Sequence, residues 1–195
     1  MRRTAAVAAA FAAGLLLALA APAVANDFAP QMRAYFREKV RPLLADPELV
    51  AAIKAQNARH AGLDAAAIEA LDQQWRIEVR RGSGPLVGEL MGRPASAKLR
   101  AFKQASGGVV VEIFLMDNKG LNVALSDVTS DYMQGDEPKW QRTFRVAPNA
   151  VFVDDVDFDE SSKTFQAQIS ATVVDPAGGA AIGAVTVGLA VEKLP

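Results

Sequence analysis

The stretch from Ile113 to Ala124 constrains the fold more than any other. An apolar run, Ile113-Phe114-Leu115-Met116, ends in the tetrapeptide Asp117-Asn118-Lys119-Gly120, and a second run, Leu121-Asn122-Val123-Ala124, leaves it. Two such runs around a tight turn predict a β-hairpin, because Asn and Gly tolerate the positive φ that these turns require. The second strand feeds a polar loop, Ser126-Asp127-Val128-Thr129-Ser130-Asp131-Tyr132, and Trp140 lies eight residues further on.

The start of the chain has a different grammar. Arg2 and Arg3 precede an apolar run from Ala5 to Ala21, and Ala23-Val24-Ala25 is a small-x-small cleavage site. That is the pattern of a cleaved secretory signal, with cutting expected after Ala25 and a periplasmic destination. The run approaches the roughly 20 apolar residues that span a bilayer, but it is Ala-rich and leads into a good cleavage site. No later stretch is long and apolar enough to span. The remainder, residues 26–195, suits one domain with a genuine core. There are no cysteines and one histidine, which excludes disulfides, thiolate chemistry and the usual zinc sites. Without Arg2 and Arg3, the 22 acidic residues outnumber the basic ones and the formal charge is −3. A weakly acidic chain argues against nucleic acid as a partner.

The predicted organisation is a helical region over 26–106 and a sheet over 107–195, together one α+β domain. Phe28, Met32, Tyr35, Phe36, Val40 and Leu43 recur at helical spacing, and Pro42 should kink or end that helix. Asp46-Pro47-Glu48 restarts a helix with an N-cap, a proline at the first position and an acid in the first turn. Asp64 can cap a further helix bearing Ile68, Leu71 and Trp75 on one face, and two shorter helices are expected near 86–91 and 96–104. Five strands follow, at about 109–117, 121–126, 150–157, 164–175 and 180–192, with a short helix near 137–144 after the second. Antiparallel pairing is expected, with turns at 159–163 and 175–179.

This order resembles that of Cache domains, the extracellular PAS-like (PDC) sensor modules of bacteria. The segment Met116-Asp117-Asn118-Lys119-Gly120-Leu121 looks like the family's Asp-x-x-Gly turn. Residues 130 to 140, Ser130 through Tyr132 to Trp140, resemble its aromatic entry into a pocket helix. Val173-Val174-Asp175-Pro176-Ala177-Gly178-Gly179 with Ala180 to Gly183 is similar to its closing hairpin. The resemblance implies N-terminal helices packed on a five-stranded antiparallel sheet and a ligand-binding role. Most Cache domains lie between two membrane helices. This sequence ends after its last strand, so the expectation is a stand-alone exported form.

Tyr132 and Trp140 are the leading pocket candidates, since aromatics combine contact area with a polar edge. Ser126, Asp127, Thr129, Ser130 and Asp131 can supply polar groups, while Lys139, Arg142 and Arg145 can hold a carboxylate. Asp154 can reach a pocket from the start of its strand. The competing reading has the two aromatics packing the short helix onto the sheet and the polar residues facing water. Asp155, Asp157 and Asp159 have the spacing of a calcium loop, but Glu160 and Gln166 stand where that loop needs Gly and Glu. Strand alternation would instead place these acids on one face, with Val156 and Phe158 on the other. His60, at a helix end, reads as a charge on the C-terminal dipole. No catalytic constellation or cofactor motif is present.

Two functions follow. The first is an exported sensory protein that binds a small polar organic ligand and reports to a membrane partner such as a histidine kinase or receptor. The second is a docking module without a small ligand, with the helix from Phe28 to Leu44 as a homodimer face.

Overall fold

The computed structural model describes residues 26–159 and 164–195, so the expected export signal lies outside the described residues. The chain opens with a helical segment formed by α1 (Ala29–Tyr35), a π turn (Phe36–Val40) and α2 (Arg41–Leu43). Pro42 does not end this segment. A proline clashes with the carbonyl four residues back, and the wide turn, in which Arg41 N–H donates to the Phe36 carbonyl, accommodates it. Then come α3 (Pro47–Arg59), α4 (Ala65–Arg81), α5 (Pro85–Gly92) and α6 (Pro94–Ala105). The caps are those the sequence predicts. Asp46 accepts from Glu48 N–H at 2.8 Å, and Asp64 accepts from Ala67 N–H at 2.8 Å.

Among the described residues six strands form one antiparallel sheet: β1 (Val110–Met116), β2 (Asn122–Leu125), β3 (Val151–Val153), β4 (Asp157–Asp159), β5 (Thr164–Val174) and β6 (Ala181–Ala190). A short helix, α7 (Pro138–Gln141), follows β2. The order is β2-β1-β6-β5-β3, with β4 also on β5. One expected strand is therefore two. Asp154 N–H still donates to the Gln168 carbonyl at 2.9 Å, residues 155–156 then leave the ladder, and the long β5 holds β3 against Ile169–Ala171 and β4 against Thr164–Gln166. The break also corrects the expected alternation: Val156 packs on the core, whereas Phe158 is exposed and meets Phe165 edge-on at 5.0 Å. Otherwise the sequence of helices, hairpin, short helix and closing strands is the one the Cache resemblance implies.

The helices divide between the two faces of the sheet. On one face, Ile113, Leu115, Ile169, Val173, Val185, Val187 and Leu189 pack with Met32, Phe36, Val40, Leu49, Ile53 and Leu99. The apolar side of the first helical segment is thus buried in the chain's own core. On the other face, Phe114, Met116, Leu121, Leu125 and Ala184 pack with Trp75, Leu90, Tyr132 and Trp140. Among the described residues no helix is long and apolar enough to cross a membrane.

Candidate ligand-binding site

Strand register places a polar row on the second face. Glu112 on β1 pairs with Gly188 on β6, which pairs with Gln168 on β5. The Glu112 side chain lies across Gly188, and its Oε1 accepts from Gln168 Nε2 at 2.8 Å. A Cβ at position 188 would stand 2.7 Å from Glu112 Cγ and 3.1 Å from Oε1, so this crossing requires glycine. The next row is Phe114, Thr186, Ser170 and Phe152, in which the fully buried Ser170 and Thr186 hydroxyls bond at 2.9 Å. Burial pushes the Glu112 carboxyl above the usual carboxylate range, against the pull of the Gln168 hydrogen bond and of Lys139.

Glu112 forms part of the wall of a cleft of about 490 Å³ whose charged lining, among the described residues, is Lys103, Glu112, Asp127 and Lys193. Lys103 Nζ lies 2.6 and 2.7 Å from the two Asp127 oxygens. Ser126 positions that carboxylate: its hydroxyl donates to Asp127 Oδ2 at 2.6 Å and accepts from Ile113 N–H at 2.9 Å. Two acids and two ammonium groups around one cleft are complementary to a small molecule that carries both charges.

The other residues singled out from the sequence fall elsewhere. Lys139 lies over the Phe114 ring, 5.6 Å from its centroid, and pairs with Glu137 at 2.9 Å. Thr129, Ser130, Asp131 and Tyr132 form a second cluster, tied to α4. Asp72 accepts from the Tyr132 and Met133 N–H groups at 2.8 and 2.9 Å, and Arg76 reaches Asp131 at 3.2 Å. Tyr132 is 1% exposed and stacked on Trp75 at 5.5 Å; burial raises its phenol well above the ordinary value. Within this cluster Asn122 donates to Thr129 Oγ1 and the Asp131 carbonyl, and its buried Oδ1 has no hydrogen-bond partner among the described residues. Trp140 stacks on Phe144 at 5.2 Å. Arg142 covers Phe152 from the solvent side, Arg145 is exposed, and Asp154 uses its carbonyl to hold Asn26 at 2.6 Å. Of the candidates, only Asp127 lines the cleft, and Ser126 supports it.

Sequence reasoning missed Glu112, Gln168, Lys103 and Lys193. The one available signal was a lone acid inside the otherwise apolar run from Val109 to Met116. It also missed the true role of His60, whose Nδ1 lies 2.8 Å from Oδ2 of Asp117, the first residue of the hairpin turn. Asp117 is fully buried. It accepts from Gln56 Nε2 at 3.0 Å and from the Lys119 and Leu121 N–H groups, while its carbonyl accepts from Trp140 Nε1 at 3.2 Å. At the end of that turn Gly120 has φ +84°, and a Cβ there would overlap the backbone of Gly135.

No protein-family model matches the chain, and no curated protein matches it in sequence. Solved structures similar to it include the sensor domain of the histidine kinase DctB from V. cholerae, at 14% identity and a TM-score of 0.45. That match covers 85% of this chain and 54% of the other. The ligand-binding domain of the Campylobacter jejuni chemoreceptor Tlp3, solved with 4-methylisoleucine, is 14% identical at a TM-score of 0.41, covering 84% and 62%. The ligand-binding domain of the Pseudomonas aeruginosa amino acid chemoreceptor PctC, solved with GABA, is 15% identical at 0.40, covering 63% and 56%. The chain thus spans roughly half to two thirds of each of these structures.

Proposed function

We propose that the protein is an exported, Cache-like ligand-binding protein of the periplasm that recognises a small zwitterionic organic molecule and reports its presence to a membrane partner, a histidine kinase or receptor. The observation that carries this reading is the Glu112 carboxylate, laid across Gly188 at the edge of a charged cleft. A ligand ammonium would pair with Glu112 and Asp127, and a ligand carboxylate with Lys103 and Lys193. The Lys103–Asp127 pair is partly exposed and adds little to stability by itself, so exchanging it for ligand contacts costs little. A cation bound beside Glu112 favours the ionised carboxylate and so opposes the upward shift that burial imposes on it.

A thermal-shift screen against amino acids, amines and organic acids tests this, because a ligand that binds only the folded state raises Tm. The expected result is a zwitterionic hit that Glu112→Gln and Asp127→Asn each abolish in folded protein. An absence of hits, or hits indifferent to both substitutions, would remove the cleft as the site.

A further inference from the structure

The opposite face of the sheet holds a second cavity, about 350 Å³, between the first helical segment and strands β3 and β5. Its wall is mostly apolar, with Phe36, Leu44, Val151, Ala171, Val173 and Pro176, and Asn149 and Thr172 add polar groups. Among the described residues the only charged group lining it is Arg41, whose exposed side chain has no hydrogen bond or ion pair there. The π turn sets this lip, since Arg41 N–H donates to the Phe36 carbonyl and so holds the cation beside the apolar wall. Such turns occur frequently at functional sites. A neighbouring groove shares Ala45 and Pro176 with the cavity and runs along Pro47, Val50 and Ala51, where the Lys54 and Asp175 charges are paired with each other at 2.7 Å.

We infer that this cavity binds an apolar monocarboxylate, with its hydrocarbon body against Phe36, Ala171 and Val173 and its carboxylate on Arg41. The size falls within the range of small-ligand sites. An unpaired guanidinium at the mouth of an apolar chamber matches one anionic group on an apolar body, and Arg binds carboxylates through a planar two-point fork. A neutral hydrocarbon would leave the cation unused. A zwitterion would bring its ammonium to a wall that has no carboxylate. The inference is independent of the Glu112 cleft, from which the sheet itself separates it.

Octanoate and 1-octanol serve as paired probes, with backbone amide shifts of the protein as the readout. Octanoate should perturb Ala150, Ala171 and Val173. Arg41→Gln, an exposed change, should weaken octanoate by about tenfold, the loss of roughly one charge-assisted contact, and leave octanol unaltered. Ala45→Phe, on the exposed rim, should block both probes, and Ala171→Leu should do so from within. Octanoate shifts confined to other parts of the protein, or equal octanoate affinity in wild type and Arg41→Gln, would overturn the assignment.

Discussion

Along β5, Ala167, Ile169, Ala171 and Val173 face the N-terminal helices, whereas Gln168, Ser170 and Thr172 face the segment that follows β2. The same alternation continues on β6, with Val185, Val187 and Leu189 on one side and Ala184, Thr186 and Gly188 on the other. One side is a mainly aliphatic core. The other combines an aromatic cluster at the β2 edge with hydroxyl, amide and carboxyl groups toward β5. Burial of apolar area stabilises the first side without regard to direction. The second must satisfy each polar group individually, and so offers specific recognition at the cost of tolerance.

The comparison breaks most sharply at Trp75. If its cluster is a second true core, Trp75→Ala should cost about 3–5 kcal/mol, comparable with Leu189→Ala on the aliphatic face at about 2–5 kcal/mol. Denaturant unfolding of both variants measures this. A cost below about 1 kcal/mol for Trp75→Ala would make the aromatic side a loose cover rather than a core.

Asp117→Ala tests directionality. Its carboxylate satisfies Gln56, His60 and two backbone N–H groups in full burial. Its removal should cost about 3 kcal/mol, in the range for breaking a buried polar pair. Hydrogen exchange at Lys119 and Leu121 should accelerate more than exchange in β5. Equal acceleration everywhere would deny Asp117 a local role in holding the hairpin.

Gly188→Ala is a subtler probe. An added methyl must displace Glu112 from Gln168, with an overpacking cost of about 1–3 kcal/mol. The same methyl on an exposed glycine such as Gly178, where nothing stands within 4 Å, should be nearly silent.

The smallest effect is expected from Glu112→Gln. Burial raises the folded pKa of Glu112 above its unfolded value, which is about 4.3 in model peptides. Between those two values the folded state keeps a proton that the unfolded state has released. This group's contribution to stability therefore falls as pH rises through the window, and the penalty is complete above the folded pKa. Glu112→Gln removes that penalty and can keep a hydrogen bond to Gln168. It should stabilise the protein modestly near neutrality and flatten its pH profile, as measured by Tm from acid to neutral buffer. A loss of stability at neutral pH would mean that the ionised carboxylate is favoured in the fold.

Local chemistry explains why much of the scaffold was legible. Asp46 before Pro47, Asp64 before an amphipathic run, and the Asp–Gly turns at 117–120 and 175–179 each act within a few residues, where backbone geometry is decided. The site was less legible because its partners meet only through register. Glu112 and Gln168 are 56 residues apart in sequence, and Asp117 and His60 are 57. Nothing in either local stretch announces the pairing. Tyr132 and Trp140 were conspicuous as residue types, yet their type alone could not tell a pocket wall from the stacked partners they are, with Trp75 and Phe144.

The sequence by itself determined the helices, their caps, the two tight hairpins and the α+β order, because these depend on short-range sterics and on the period of apolar residues. The splitting of the third expected strand, the glycine-bridged carboxylate and the lone arginine beside an apolar chamber were decided by tertiary structure. Each depends on which distant strands become neighbours and in what register, and a shift of one residue would send the same side chains to the opposite face.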